Sequence, residues 1–471
     1  MTRRLFALAL ALGMAAPGLA RAEENLTVGI GIQNTTTNTV TGGIVLEKLG
    51  LIEKYLPKDG KYKDLKINFD WQNFTSGPPV TNGMIAGKLQ IGMMGDYPLL
   101  VNGATFQTNP ESRSYLVAVI AYNANGAGNG LVVAKDSPYF QLSDLKGKLV
   151  SVPFGSAAHG MVLKAMQDRG WGPDYWELAS QSPEVGATNL QEHKIDAHAD
   201  FVPFAELLPF RGYARKIFDG AETKVPTFHG VVVRQDFADK YPEIVVAYLK
   251  ALIEANAWFH ADPKSAAEKV EEWTKTEKEV VYIFLGPGGI MTLDPTLKPK
   301  WTETIKYDTT VLQKLGRVKE FDVDKWVDDK FIRQAFKELK LDYDAQLARF
   351  DNYAVTGTDQ VCHTPVADPK QAGEIWIDGG GLEPFSTPAC TLAAVGQLQT
   401  QGKKLRVAYT VDQAMGIKLF ADKAYYAVGT GADGKPVIAP YLLKGDAEAA
   451  AAKLGGGRAV AYDDALKAAA R

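Results

Sequence analysis

Residues 149–159 read Leu-Val-Ser-Val-Pro-Phe-Gly-Ser-Ala-Ala-His, and this stretch decides the fold class. A short β-rich run ends at a Gly-Ser turn, and a helix starts directly after the turn. The same succession of strand, turn and first helical turn recurs at Phe74–Pro79 and at Met94–Pro98. Strands that alternate with helices in this way indicate βαβ units and a mainly parallel sheet, so the sequence predicts an α/β fold.

The alternation runs through two units, and a region of different composition follows. The first unit covers about 23–121 and resumes over 225–350, while the second unit, 122–224, is inserted into it. Residues 351–471 are richer in Gly and Ala and carry short strands. We expect a two-lobed module with a hinge over 23–350, followed by a separate small α+β domain.

Residues 1–22 have the pattern of a secretory signal peptide. An arginine pair precedes an apolar run over residues 5–16, and small residues stand at Ala20 and Ala22. The apolar run is too short to span a bilayer. The pattern predicts a periplasmic protein exported by general secretion, with the twin-arginine route as an alternative.

Composition excludes a disordered chain and a basic nucleic-acid binder. The chain has 471 residues, of which 46% are hydrophobic and 23% are charged, and this balance is typical of a folded protein. The formal net charge is −3, and the loss of three arginines with the signal peptide leaves 49 basic residues against 55 acidic ones. A basic nucleic-acid binder is therefore excluded.

The three strand–turn–helix segments suggest an anion site. The first N–H groups of a helix have no internal acceptor, and the helix dipole places partial positive charge on them. Each segment alone is also explained as an ordinary helix cap. Together, at the carboxyl ends of parallel strands, they favour a small oxyanion held in a cleft between the lobes.

Several segments carry a resemblance to a known family. These segments are Met84–Gly92 with Gly95–Pro98, Asp144–Lys148 with Val152–His159, Val232–Phe237, and Phe321–Val323 with Phe331. In their order and spacing, residues 25–345 resemble the periplasmic substrate-binding proteins (type II fold) of ABC transporters for taurine, alkanesulfonates and nitrate. The resemblance implies a monomeric, hinge-closing binding protein, not an enzyme, that delivers its solute to a permease and an ATPase in the inner membrane.

The resemblance also implies which residues bind the ligand. They are Gln33, Asn34, Thr35, Thr36, Ser76, Gly77, Asp96, Tyr97, Ser156, Ala157, His159, Asp200, Phe201 and His229. Related sulfonate binders often carry a tryptophan where this chain has Asp200-Phe201. Because Asp96 and Asp200 add negative charge, either the solute carries an ammonium group, as taurine does, or an aromatic or cationic ligand is expected. Each aspartate also fits a helix N-cap.

The only two cysteines, Cys362 and Cys390, lie in the last region. In an exported protein they are expected to form a disulfide that closes a loop of about 28 residues. The alternative is a soft-metal site in which His363 and Met415 join them, because these are ligand types that Cu(I) prefers.

A second resemblance bears on this choice. Its segments are Cys362–Asp368, Phe385 with Cys390, Lys423–Gly429, Asp446–Ala449, Gly455–Gly456 and Ala459–Val460. Over residues 355–468 they resemble the NosL family of copper-handling accessory proteins. The family's Cys-Gly-Met reads Cys362-His363-Thr364 here, and its Cys-Met reads Cys390-Thr391, so both thioether positions are lost. This departure weakens the copper interpretation and favours the disulfide.

These observations predict the solute-binding component of an ABC importer, which captures a sulfonate-like or zwitterionic solute and requires no cofactor. The alternative is a copper-handling periplasmic protein whose first module binds nitrate, an aromatic or cationic solute, or a metal chelate. A hydrolase that uses Ser156 and His159 is the weakest hypothesis, because the G-x-S-x-G elbow is missing.

Overall fold

The computed structural model describes residues 24–108, 113–314, 316, 318–350 and 353–470. The predicted signal peptide lies outside this part of the chain. Among the described residues, no helix combines the length and the apolar character that crossing a membrane requires.

The first lobe opens with the alternation of strands and helices that the sequence predicts. Its elements are β1 (Glu24–Ile32), α1 (Ile44–Leu49), α2 (Leu51–Tyr55), β2 (Leu65–Asn73), α3 (Gly77–Ile85), β3 (Ile91–Gly95), α4 (Asp96–Gln107) and β4 (Ser114–Asn123). The hydrophobic pattern predicts one helix over 43–55, and this is wrong. The helix breaks at Gly50, whose φ of +60° ends α1 in the left-handed conformation.

The second lobe follows as a smaller sheet with its own core. Its elements are β5 (Gly130–Ala134), β6 (Leu149–Val152), α5 (Ala157–Asp168), β7 (Glu177–Ser180), α6 (Pro183–Gln191), β8 (Ala197–Asp200), α7 (Phe204–Phe210) and β9 (Ala214–Asp219). The strand order is β7-β6-β8-β5-β9. Strand β6 runs parallel to β7 and β8, so the turns that follow β6 and β8 lie at one edge of the sheet.

The chain then returns to the first lobe. Its further elements are β10 (Thr227–Arg234), α8 (Gln235–Lys240), α9 (Pro242–Ala261), α10 (Pro263–Thr274), α11 (Lys278–Leu285), β11 (Thr292–Leu293), α12 (Pro299–Lys314), α13 (Val323–Trp326), α14 (Lys330–Glu338) and α15 (Tyr343–Leu347). The strand order of the sheet is β11-β4-β10-β3-β1-β2.

The expectation of a mainly parallel sheet is too simple. Strand β1 pairs parallel with β2 and β3, but β10 pairs antiparallel with both β3 and β4. The chain re-enters the first lobe from the second, so β10 begins at the edge where β3 ends and runs in the opposite direction. His229 near the start of β10 thereby lies opposite Gly95 at the end of β3.

The last region forms two antiparallel sheets with three helices. Its elements are β12 (Gly373–Ile377), β13 (Leu382–Phe385), α16 (Pro388–Thr400), β14 (Leu405–Val411), β15 (Lys418–Phe420), β16 (Tyr425–Thr430), β17 (Pro436–Tyr441), α17 (Lys444–Ala451), β18 (Gly455–Val460) and α18 (Tyr462–Ala469). The strand orders are β13-β12-β14-β15 and β17-β16-β18. We call this region the C-terminal domain.

A buried polar cluster joins the C-terminal domain to the first lobe. Glu374 on β12 accepts a hydrogen bond of 2.8 Å from the hydroxyl of Tyr282 on α11 and forms an ion pair with Lys418. The ammonium group of Lys418 also donates to the carbonyl of Pro287 at 2.8 Å. Trp376 and Tyr409 belong to the same hydrophobic cluster as the core of the first lobe, so the two units share one apolar interior.

The two cysteines form a disulfide. Cys362 and Cys390 are bonded to each other at a sequence separation of 28. Cys390 is 7% exposed in the first turn of α16, whereas Cys362 is exposed in the loop before β12. The bond therefore ties an exposed loop to a buried helix start.

Replacing both cysteines by alanine is expected to lower the free energy of unfolding of the C-terminal domain by about 3 kcal/mol, because the open chain gains loop entropy. Thermal unfolding with and without a thiol reductant measures the effect. Reductant should lower the melting temperature of the native chain and leave that of the double variant unchanged. The intact native mass should be about 2 Da below that of the reduced chain. A native melting curve that is insensitive to reductant would contradict the structural role.

Candidate functional site

A buried polar segment, residues 33–41, connects β1 to α1. Its members Gln33, Thr36, Thr37, Asn38, Thr39 and Thr41 are each at most 3% exposed. Five of its buried side-chain oxygens have no hydrogen-bond partner among the described residues: Asn34 Oδ1, Thr36 Oγ1, Thr37 Oγ1, Asn38 Oδ1 and Thr41 Oγ1. Because buried polar atoms in folded proteins are nearly always paired, this concentration marks a place where bound molecules supply the partners.

Neighbouring strand ends hold this segment in place. The Gln33 side-chain amide donates to the carbonyl of Met93 on β3 at 2.8 Å. The backbone N–H of Asn34 donates to the Asn73 side chain at the end of β2, also at 2.8 Å. Since β1, β2 and β3 are parallel neighbours, the segment lies over their carboxyl ends, the usual ligand position in an α/β sheet.

His229 contributes a neutral hydrogen-bond donor beside this segment. The Asn38 side-chain N–H lies 3.1 Å from His229 Nδ1, which makes Nδ1 the acceptor and leaves the ring proton on Nε2. Burial lowers the pKa of His229 to about 3. The ring is therefore uncharged near neutral pH and can donate through Nε2.

The two lobes meet at Gly95. A Cβ atom at this position would lie 3.2 Å from the Cβ of Ala157 in the second lobe and 3.4 Å from His229 Nε2. Ala157 is the first residue of α5, and the N–H groups of that first turn have no intrahelical acceptor. Because Gly95 has no side chain, two kinds of hydrogen-bond donor can lie beside it: the imidazole N–H of His229 and the N-terminus of α5.

Aromatic rings flank this contact. The ring of Tyr97 lies 5.9 Å from that of His159 across the two lobes, and Phe154 stacks on His159 at 4.7 Å. Ser156 caps α5, because its hydroxyl accepts from the backbone N–H of His159 at 3.3 Å. The hydroxyl of Ser156 therefore has a structural role as a cap, and the N–H groups of Ala157 and Ala158 in the first turn remain available to a ligand.

Asp96 is buried one residue beyond Gly95. Its carboxylate accepts from the backbone N–H groups of Tyr97 at 2.6 Å and Phe228 at 3.3 Å. Burial nevertheless raises the pKa of Asp96 to about 6. Asp96 is the first residue of α4, and the two N–H groups pair with its carboxylate. The carboxylate nevertheless places negative charge next to the lobe contact.

A small cavity of about 60 Å³ adjoins Asp96 on the hinge side, and its wall includes Asn129, Lys164, Thr227 and Asp308. Burial, with Asp96 as a nearby like charge, raises the pKa of Asp308 to about 8. Lys164 opposes that shift. At neutral pH the Asp308 carboxyl therefore holds its proton, and Asp96 carries most of the negative charge here.

In the second lobe, the carboxylate of Asp200 is already paired with neighbouring groups of the same lobe. Its carboxylate lies 2.8 Å from His198 Nε2 and accepts from the backbone N–H of Phe201 at 2.8 Å. His198 Nδ1 in turn lies 2.6 Å from the hydroxyl of Ser151. Burial raises the pKa of Asp200, and His198 opposes that shift. Phe201 belongs to the hydrophobic core of the second lobe.

The remaining predicted residues lie as follows. Ser76 is the N-cap residue of α3, and a Cβ at Gly77 would meet Pro98 of α4 at 2.5 Å. Thr35 lies in the turn between β1 and the buried segment. The structure thus brings residues 33–36, 96–97, 156–159 and His229 together at the lobe contact. The sequence-based site residues do not include Thr37, Asn38 and Thr41, although the polar run Asn-Thr-Thr-Thr-Asn-Thr over residues 34–39 contains the first two of them.

The predicted metal ligands do not assemble around two thiolates. The disulfide occupies both sulfurs, so copper ligation by Cys362 and Cys390 applies only to the reduced chain. His363 is exposed and has a φ of +53°. Met415 lies in the turn between β14 and β15, where its backbone N–H donates to Asp412. A carboxylate oxygen of Asp359 lies within 4.8 Å of both sulfurs.

Two curated relatives are similar to this chain over its first part. The taurine-binding periplasmic protein of Escherichia coli (strain K12) is 30% identical over 217 residues, which is 45% of this chain and 64% of that protein. The match therefore spans slightly less than two thirds of that relative. The putative aliphatic sulfonates-binding protein of Bacillus subtilis (strain 168) is 25% identical over 318 residues, covering 66% of this chain and 88% of that protein.

Solved structures share the two-lobed architecture. The alkanesulfonate-binding protein SsuA from Xanthomonas axonopodis pv. citri, bound to MOPS, superimposes with a TM-score of 0.54 at 18% identity, covering 65% of this chain and all of that one. The periplasmic nitrate-binding protein NrtA from Synechocystis PCC 6803 gives a TM-score of 0.51 at 14% identity and covers 72% of this chain and 94% of that one.

The first two lobes therefore have the α/β fold of periplasmic binding proteins, and the expected fold class is confirmed. Residues 107–266 match the family model described as NMT1/THI5 like, which is about a third of the chain. The expected resemblance to taurine- and sulfonate-binding proteins is confirmed as well. The resemblance of residues 355–468 to the NosL family stays a prediction.

Replacing Gly95 by alanine is expected to shift the population of the chain toward the open arrangement of the lobes, because the added methyl group would crowd both Ala157 and His229. Small-angle scattering should show a larger radius of gyration than for the native chain under the same conditions. Gly172→Ala is the matched control, since a Cβ there meets no atom within 4 Å. An unchanged radius of gyration for Gly95→Ala would contradict the role of this contact.

Proposed function

We propose that this chain is the solute-binding component of an ABC importer and that it captures a small sulfonate-like solute, anionic or zwitterionic, by closure of its two lobes. The names of its relatives support the class of solute, since they include taurine- and aliphatic sulfonate-binding proteins. In this proposal a permease and an ATPase of the inner membrane receive the solute from the closed protein in the periplasm.

The observation that carries the proposal is the set of uncharged donors around Gly95. A sulfonate group needs several hydrogen-bond donors at short range, and a lysine or arginine is not required when helix N–H groups supply them. The Nε2–H of His229 and the first turn of α5 provide such donors from opposite lobes. A ligand between them would stabilise the closed state by contacting both lobes.

The unpaired oxygens of residues 33–41 fit the same class of solute. The hydroxyls of Thr36 and Thr37 can donate to sulfonate oxygens, whereas the carbonyl oxygens of Asn34 and Asn38 are acceptors. Acceptors of this kind, together with the carboxylate of Asp96, suit an ammonium group. A zwitterion that carries both groups, as taurine does, uses both kinds of partner.

Isothermal titration calorimetry with the chain lacking residues 1–22 tests the proposal. We expect saturable 1:1 binding of taurine or a short alkanesulfonate. Asn38→Ala should weaken this binding by about thirtyfold, or about 2 kcal/mol, because it removes the group that fixes the His229 tautomer. Asn82→Ala, at an exposed amide on α3, is the control and should bind like the native chain. Binding of none of these solutes, or equal affinity for Asn38→Ala, would overturn the proposal.

The pH dependence of binding should reveal which solute the site prefers. The pKa of Asp96 is raised to about 6 in the folded chain, so its negative charge is present at pH 7.5 and largely lost at pH 5. His229 stays neutral over this range, because its pKa is about 3. Loss of the Asp96 charge should therefore strengthen binding of an alkanesulfonate and weaken binding of taurine, by about fivefold in each case.

Asp308 and Lys164 are ionisable side chains on the wall of the small cavity beside Asp96, so the control variant must keep both residues. Asp96→Asn meets this condition, and it should remove most of the pH dependence between pH 5 and 7.5. Calorimetry at pH 5 and at pH 7.5 measures the change in affinity for each solute. A variant that keeps the full native pH dependence would show that another group titrates.

A further inference from the structure

A second cavity lies away from the lobe contact, between the second lobe and the C-terminal domain. We call it the interdomain groove; its volume is about 800 Å³, which is within the range of small-molecule sites. Phe140, Pro209 and Arg215 belong to the wall from the second lobe, and Phe420 and Lys444 belong to the wall from the C-terminal domain.

An exposed aromatic ring between two cations is the distinctive feature of the groove. Phe140 is 40% exposed, and its ring centre lies 4.0 Å from the guanidinium of Arg215 and 4.7 Å from the ammonium of Lys444. These cations come from different domains. Arg215 donates to the carbonyl of Ser137 at 2.7 Å, and Lys444 forms an ion pair with Glu448 at 3.5 Å that is exposed to solvent and therefore weak. The two cations can therefore take an anionic group from a ligand.

The apolar wall would accommodate the body of such a ligand. Phe420 packs against Phe210 at a ring distance of 5.1 Å, and Tyr425 and Leu442 line the groove beside it. Aromatic faces of this kind favour a planar or apolar partner, and a guanidinium stacked on a ring keeps its edge free to donate to an oxyanion.

A buried carboxylate on the groove wall, that of Glu206, favours a ligand that carries a hydrogen-bond donor. Glu206 is 7% exposed, and one of its oxygens is paired with Lys216, which also pairs with Asp219. The other oxygen, Oε2, is buried and has no partner among the described residues. A ligand N–H or O–H is the group that would satisfy this atom.

From this arrangement we infer that the interdomain groove is a second ligand site, which binds an aromatic carboxylate or sulfonate that also carries an amino or hydroxyl group. The anionic group pairs with Arg215 and Lys444, which both contact the ring of Phe140. The aromatic body packs against the apolar wall formed by Phe420, Tyr425 and Leu442, and its N–H or O–H donor faces Glu206. Because the ligand contacts both walls, it links the C-terminal domain to the second lobe. The inference stands apart from the solute that we assign to the cleft between the lobes.

The probe for this site is 8-anilinonaphthalene-1-sulfonate, which combines a sulfonate, an aromatic body and an N–H donor. Titration of the chain lacking residues 1–22 should give a saturable rise in fluorescence with 1:1 stoichiometry and a micromolar Kd. The double variant Arg215→Gln/Lys444→Gln and the single variant Phe140→Ala should each raise the Kd at least tenfold. All three side chains are partly exposed, so their replacement leaves the cores of both domains unchanged.

The double variant Arg333→Gln/Lys250→Gln is the matched control. It also removes one arginine and one lysine that stack on aromatic rings, those of Tyr343 and Tyr55 in the first lobe, and it should keep the native Kd. Absence of saturable binding, or an equal effect of both double variants, would overturn the inference. Displacement of the probe by taurine would also overturn it, because the probe would then lie in the cleft. Failure of taurine to bind would count against the proposed function alone.

Discussion

The close approach of the two lobes at Gly95 is the constraint on which the rest of the site depends. A Cβ at this position would lie 3.2 Å from that of Ala157, which is closer than ordinary van der Waals contact. This approach places the start of α5, which belongs to the second lobe, beside His229, which belongs to the first. The donors that we assign to the solute exist as one group only while the lobes are in this arrangement.

The hydrogen-bond donors that we assign to this contact are neutral polar groups and not basic side chains. His229 is uncharged because burial disfavours its protonated form, and Asn38 determines which ring nitrogen carries the proton. An anion bound by such groups exchanges its hydration shell for fixed dipoles that need no reorientation. A chain with an excess of acidic residues can therefore still bind an anion.

The C-terminal domain contributes a different kind of interaction. Its pair Glu374–Lys418 is buried and also engages Tyr282 and the carbonyl of Pro287. Buried charges are tolerated only when each is paired and hydrogen-bonded, so this cluster fixes one orientation of the domain on the first lobe. Its contact with the second lobe, in contrast, leaves the open groove beside Phe140.

Local patterns in the sequence determined the strands β1 and β6, the turn at Gly155-Ser156 and the helix α5, because each depends on residues a few positions apart. They also carried the resemblance of the two lobes to taurine- and sulfonate-binding proteins. Tertiary structure alone decided the antiparallel direction of β10, the contact between Asn38 and His229, and the meeting of Gly95 with Ala157. These pairs are separated by tens to nearly two hundred residues, so no local period encodes them. The choice between disulfide and soft-metal site was decided in the same way, since only the folded chain places the two cysteines in bonding contact.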